Sequence, residues 1–263
     1  MRPAPILFVA SLAALLTACD AATTDFTIVR PAEVIDRGIV EELEEILELN
    51  SPYEVTLTPE ILSEAEALDA IAAGDADFAL VSNHLPFRDD IATVMPLYPT
   101  VLHIGVNRPV ESAFELDLPN SANVFAGPEG SASRLVFDRI AIRMGLMPGD
   151  FTYANSSDGS FDLVVVFAPI SRETIAAIEE LSRSTPSFRL ASMGTPDEIG
   201  SGNLVDAAVL LAPNFRPFII PKGTYGDATP GPIVTLAIDK MLVTRPGLDP
   251  AVVYDLIGEI VRL

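Results

Sequence analysis

Gly127-Pro128-Glu129-Gly130-Ser131-Ala132-Ser133-Arg134 is the one stretch whose residue types and spacing carry binding chemistry. Small residues let a backbone approach a ligand closely. The apolar pattern after Ser133 predicts a helix, whose first N–H groups have no intrahelical acceptor. A helix start also carries roughly half a positive charge. With the Ser131 and Ser133 hydroxyls, these donors would make a cradle for a carboxylate or phosphate. The same serines also suit plain N-capping, and the pattern fits either role.

Catalytic chemistry has little to stand on. A nucleophile needs a placed base, usually His, and only His84 and His103 exist, with no G-x-S-x-G elbow around any serine. His103 lies in an apolar strand pattern and reads as structural. His84 follows a strand end and reads as a candidate contact. The two lack zinc-site spacing, and neither a P-loop nor a dinucleotide glycine loop is present, so no cofactor is expected. A hydrolase would need a serine or a carboxylate pair facing His84. The chain is read as a binding protein and not an enzyme.

Composition narrows the partners. The 263 residues are 49% hydrophobic, and 16 Lys+Arg stand against 37 Asp+Glu, for a net charge of −21. Nucleic acid is excluded as a main partner, because binding it needs a basic face. One cysteine cannot form an internal disulfide or a cysteine-built zinc site. That cysteine, Cys19, closes Leu16-Thr17-Ala18-Cys19 after Arg2 and an apolar run from Ile6 to Leu16. Eleven residues are too few to span a bilayer and fit a cleaved export signal. The box resembles that of bacterial lipoproteins, which implies a signal peptide over 1–19 and acyl chains, palmitate among them, on Cys19. Asp20 resembles an inner-membrane retention signal. The expected location is the periplasm, anchored to the inner membrane.

The elements that must position these residues alternate between strand and helix periodicity, predicting an α/β fold with parallel sheets. Strands are expected at 26–29, 53–57, 76–81, 101–106, 124–126, 163–167, 188–192, 218–220 and 233–243. The β-branched run Leu163–Phe167 reads as a parallel strand covered on both faces. Helices are expected at 39–48, from Ser133 to about Met144, near 173–181, at 203–211, and after Asp249-Pro250. Another would open on Thr58-Pro59 and end at Gly74.

Five segments in order are similar to TAXI-type solute-binding proteins of TRAP transporters, over most of residues 65–263. They are Gly74–Ser82, Leu97–Ile104, Gly127–Arg134, Pro221–Tyr225 and Met241–Arg245, the last followed by Asp249 to Tyr254. The resemblance implies a two-lobed type 2 periplasmic-binding-protein fold with mixed, mostly parallel sheets. One lobe would hold 25–106 plus 229–263 and the other 107–228, with Val101–Val106 and Ile233–Val243 crossing between them. It implies that Gly130, Ser131, Ala132 and Ser133 grip an anionic solute, with Ser82, Asn83, His84, Ala168, Pro169 and Thr235 as further contacts. It implies a small carboxylate or amino acid as ligand and an inner-membrane TRAP permease as partner. The family's glycine-rich loop near the start is replaced here by Val29–Arg37, which contains no glycine. That departure keeps open a relative that acts as a sensor or scaffold without solute transport.

Overall fold

A computed structural model describes residues 25–50, 53–107, 121–127, 129–143, 147, 149–154 and 161–262. Cys19 and the leader lie outside these residues, as does Met144, the end expected for the helix from Ser133. The chain forms two compact units, one from residues 1–79 and 244–263, the other from 80–243. Among the described residues no helix is long and apolar enough to cross a membrane.

The first unit is built on parallel strands. β1 (Asp25–Pro31) pairs with β2 (Glu54–Leu62) and, at Ile28, with β3 (Phe78–Ser82), along which the chain passes into the second unit. Helix α1 (Val34–Asn50) buries Val40, Leu43 and Leu47 and turns its run of glutamates outward. Helix α2 (Glu64–Ala73) starts on a capping box, in which Ser63 Oγ accepts from the Glu66 N–H and the Glu66 carboxylate accepts from the Ser63 N–H. It ends on Gly74, at φ 81° in the left-handed region that glycine tolerates best.

The expected Thr58-Pro59 helix start is therefore wrong. Both residues belong to β2, whose register against β1 jumps from Ile28↔Leu57 to Arg30↔Ile61. Proline has no N–H for a ladder and is tolerated at such a bulge. Thr58 Oγ1 instead accepts from the Arg30 N–H at 2.9 Å, filling the gap in the pairing.

The second unit has strand order β10-β4-β7-β5-β6, with β9 pairing β10 and β8 pairing β4. The strands are β4 (Ala92–Asn107), β5 (Ala122–Phe125), β6 (Phe151–Tyr153), β7 (Leu163–Ala168), β8 (Phe188–Leu190), β9 (Arg216–Ile220) and β10 (Ile233–Thr244). β5 runs parallel to β6 and β7, while β4 is antiparallel to β7 and β8. The Leu163–Phe167 run is thus parallel on one side only. β4 is much longer than expected, because residues 92–100 carry no clean alternation to announce a strand, and β6 escaped notice for its brevity.

Helices α3 (Ala132–Arg143), α4 (Arg172–Ser184) and α5 (Leu204–Leu211) complete this unit. Their caps are local: Ser171 accepts from the Thr174 N–H, and Asn203 from the Asp206 N–H. Helix α6 (Pro250–Arg262) returns to the first unit, with Asp249 Oδ1 accepting from the Ala251 N–H at 2.9 Å. The α/β class and the type 2 periplasmic-binding fold expected from sequence are the ones observed.

Candidate functional site

The start of α3 is held at the carboxyl ends of two parallel strands. β5 ends at Phe125, and Ser131 Oγ donates back to the Ala126 carbonyl at 3.4 Å. The turn between them needs glycine twice: Gly127 has φ 72° and Gly130 has φ 81°. A Cβ on Gly127 would also stand 2.9 Å from Ser131 Oγ. Ser131 is the N-cap, its hydroxyl accepting from the Arg134 N–H at 3.3 Å and its carbonyl from the Leu135 N–H.

Ser133 has a partner that no local pattern announces. Its hydroxyl accepts from the Phe167 N–H of β7 at 2.9 Å, and the residue is only 6% exposed. Both hydroxyls of the cradle are therefore used by the protein's own backbone. The N–H groups of Ala132 and Ser133 have no acceptor within the helix and supply the remaining anion-attracting character. Removing the Ser133 hydroxyl leaves the Phe167 N–H without its acceptor, which costs about 1–3 kcal/mol. Losing the Ser131 cap costs about 1 kcal/mol. Urea denaturation of Ser133→Ala and Ser131→Ala is expected to find the first at least as damaging; the reverse order would mean that Ser133 is not the tie to β7.

From Ser133 a continuous row runs across the sheet. Phe167 is opposite Leu102 in β4, and the Leu102 carbonyl accepts from Thr235 Oγ1 of β10 at 2.7 Å. Thr235 is thus buried at 1% exposure, its proton directed into the sheet. Ala168 lies opposite Val101 at the end of β7 and is buried, with Pro169 half-buried after it. Phe167 stacks on Phe215 with centroids 6.0 Å apart.

Ser82 ends β3, and Asn83 and His84 follow it. Asn83 is fastened to β10: its N–H donates to the Asp239 carbonyl at 2.9 Å, and its Oδ1 accepts from the Asp239 N–H. Asp239 stands four residues beyond Thr235 on the same strand face, about 13 Å along it. Its carboxylate pairs with Arg216 at 3.0 Å, a partnership across 23 residues that no local pattern announces. Ser82 is buried and His84 half-buried.

The cation beside the cradle is turned away from it. Arg134 lies over the ring of Tyr153 and 4.0 Å from Asp138, while the Tyr153 hydroxyl donates to Asp138. Burial first, then that bond and the Asp138 charge, push the Tyr153 phenol well above its ordinary value. His103 Nε2 meets the Tyr225 hydroxyl at 2.5 Å inside the core, with both residues almost fully buried.

Among the described residues, the one acidic group close enough to share an ion is Glu33, Asp36 and Glu64 in the first unit, with ligand atoms within 4.8 Å of one another. Each of the three is already engaged by an interaction within the chain. The arrangement at α3 can bind by hydrogen bonding and charge.

The sequence pattern of the NMT1-like family matches residues 61–261. No curated protein matches the chain. Among solved structures, the OxyR2 regulatory domain from Vibrio vulnificus superposes with a TM-score of 0.50 at 11% identity, covering 91% of this chain and 95% of that one. The second substrate-binding domain of a putative amino acid ABC transporter from Streptococcus pneumoniae gives 0.48 at 12% identity, over 92% and 93% of the two chains. The reduced form of OxyR from N. meningitidis gives 0.49 at 14% identity, over 91% and 95%.

Proposed function

We propose, for a chain that belongs to the NMT1-like family, the role of an exported solute-binding lipoprotein of the TAXI type. It captures a small carboxylate or amino acid and hands it to a TRAP-type permease in the inner membrane. The reaction is binding alone: no bond is made or broken, and the solute favours whichever conformation offers it better contacts. Cys19 at the end of the leader would carry the lipid anchor and keep the protein at the periplasmic face. More than one acyl chain is needed for stable anchoring.

One observation carries this reading. The first turn of α3 stands at the carboxyl ends of parallel strands β5 and β7, tied there by Ser131 and Ser133. Ligands of open α/β sheets bind in that position, and a helix start there favours an anion. At the left-handed Gly130 an added Cβ would meet no atom within 4 Å, which leaves room for close backbone approach.

The test is thermal denaturation of the purified protein against a panel of organic and amino acids. A true ligand at 100 times its dissociation constant is expected to add about 2.7 kcal/mol. A flat response to every compound overturns the reading.

A second reading, a sensor or scaffold acting by protein contact, is favoured by one specific fact: the Ser131 and Ser133 hydroxyls already serve the protein's own backbone. Chemical cross-linking in membranes separates the two roles. Capture of a permease supports transport, whereas capture of a signalling protein by a chain that binds no solute supports the alternative.

A further inference from the structure

The first unit holds a cavity of about 510 Å³ beside α6, lined in part by Tyr53, Tyr254, Asp255, Gly258, Glu259 and Arg262. The start of α3 belongs to the second unit, so the two sites share no element. The volume falls in the range of small-ligand pockets, and its chemistry is uneven in a way that selects a ligand.

Two tyrosine rings supply the aromatic surface. Tyr53 packs against Phe26 with centroids 5.4 Å apart, which fixes its plane, and Tyr254 is largely exposed. The Tyr53 hydroxyl donates to Asp255 Oδ2 at 2.7 Å. A phenol donor orients a carboxylate without cancelling its charge. The second acid, Glu259, is matched by Arg262 at 2.6 Å. Asp255 therefore contributes negative charge beside two tyrosine rings, with the lining cation Arg262 engaged by Glu259.

Gly258 opens the space. It sits inside α6, where glycine costs about 1 kcal/mol relative to alanine, and a Cβ there would meet no atom within 4 Å. An aromatic and anionic pocket is the recognition chemistry of ammonium ions, which are drawn to ring faces as well as to carboxylates. A metal ion is poorly served, because it would want several carboxylates in place of ring faces. We propose that the cavity beside α6 binds an organic ammonium group. Burial first, then the hydrogen bond to Asp255 and the Asp255 and Asp249 charges, push the Tyr53 phenol up to about 12, so it remains a neutral donor.

The ammonium can belong to a free amine or to a lipid headgroup. Asp25, the first residue of β1, is opposite Glu54, next to Tyr53, and Cys19 precedes it by six residues. If Cys19 is lipidated, as proposed above, an extended tether of that length keeps the strand start within about 20 Å of the bilayer surface. The pocket itself does not depend on the anchor.

The experiment titrates the purified protein with ethanolamine and with tetramethylammonium, following tyrosine emission, which no tryptophan obscures. A parallel arm measures sedimentation with phosphatidylethanolamine vesicles against phosphatidylglycerol vesicles. Saturable binding in either arm is expected, weakened at least tenfold by Gly258→Leu and by Tyr254→Ala, and unchanged by Ser131→Ala. Gly258→Leu replaces a helix breaker where space is open, so its melting temperature should not fall. Binding by free amines identifies a soluble ligand; vesicle binding alone identifies the headgroup. Absence of saturation in both arms, or binding that survives Gly258→Leu, overturns the proposal. Because Ser131 variants report on the other unit, failure here leaves the carboxylate reading standing, and the converse holds.

Discussion

Between pH 7 and pH 4 the folded protein is expected to lose about 3 kcal/mol through a single side chain, His103. Burial lowers its pKa from 6.5 to about 4, an effect that backbone contacts to Val101 and Val166 only partly oppose. The residue is 3% exposed in β4. Its partner, the Tyr225 hydroxyl, is pushed far up by burial and stays protonated. Tyr225 itself packs in a buried hydrophobic cluster with Val101, Phe188 and Ala237.

The sign follows from which state takes the proton first. As pH falls through 6.5 the unfolded chain protonates His103 while the folded chain does not, so stability drops. The loss grows until about pH 4, below which both states carry the proton and the difference is constant. At 1.36 kcal/mol per unit the shift amounts to about 3 kcal/mol. Carboxylates held low, such as Asp206 under the Gly200 and Gly202 N–H groups, lose their contribution at lower pH. Urea denaturation at pH 7, 6, 5 and 4 separates these effects when wild type is compared with His103→Gln, which has nothing to protonate there. The wild-type advantage should shrink by about 3 kcal/mol across the series. Parallel pH dependences for the two proteins would show that His103 is not the acid-sensitive group.

Phe188→Ala is expected to cost about 3–5 kcal/mol, the ordinary range for truncating a buried phenylalanine, and its most informative partner is Gly105. Gly105 lies in β4 between Val164 of β7 and Leu190 of β8. A Cβ there would meet Phe188 Cε2 at 2.5 Å and Val164 Cγ1 at 2.6 Å. Glycine is required at this position by close packing, since its backbone is ordinary strand. Gly105→Ala alone should therefore cost about 1–3 kcal/mol by overpacking. In the Phe188→Ala background the ring is gone and the added methyl partly fills its cavity. The double variant should be more stable than the sum of the single losses predicts, by about 1 kcal/mol or more. Strict additivity in urea melts would mean that Gly105 and Phe188 do not share this space.

Much of the frame was readable from sequence because its signals are local. Gly74 ended α2 as expected, since only a left-handed residue closes that turn cheaply. The small-residue stretch before α3 and the periodicity after Ser133 correctly announced a strand, a turn and a helix. What failed was non-local. Thr58-Pro59 carries the local chemistry of a helix start, yet the pairing of β2 with β1 overrode it and used the proline at a bulge. The helix expected from Ile39 begins at Val34, absorbing the stretch where a glycine-rich loop was missed.

At the site, the candidate serines were identified by type, and Ser131 serves as the cap one would write there. The tie from Ser133 to Phe167 spans 34 residues and depends on how β7 lies beside α3. The bond from Thr235 to Leu102 crosses 133 residues and turns the hydroxyl into the sheet. Asn83 likewise answers to Asp239, which periodicity cannot reveal.

The division of the chain also sets an order of assembly. The second unit is one uninterrupted segment, whereas the first needs both ends of the polypeptide. Asp77 binds the Thr27 N–H and pairs with Arg245, its carbonyl accepts from Thr244, and Tyr53 reaches Asp255. None of the contacts to residues beyond Val243 exists until that part of the chain has been made. During elongation the early strands must wait with one flank uncovered while the middle of the chain settles, as units generally fold in turn. A chain truncated before Thr244 would thus keep a structured middle while its beginning is still exposed to proteases.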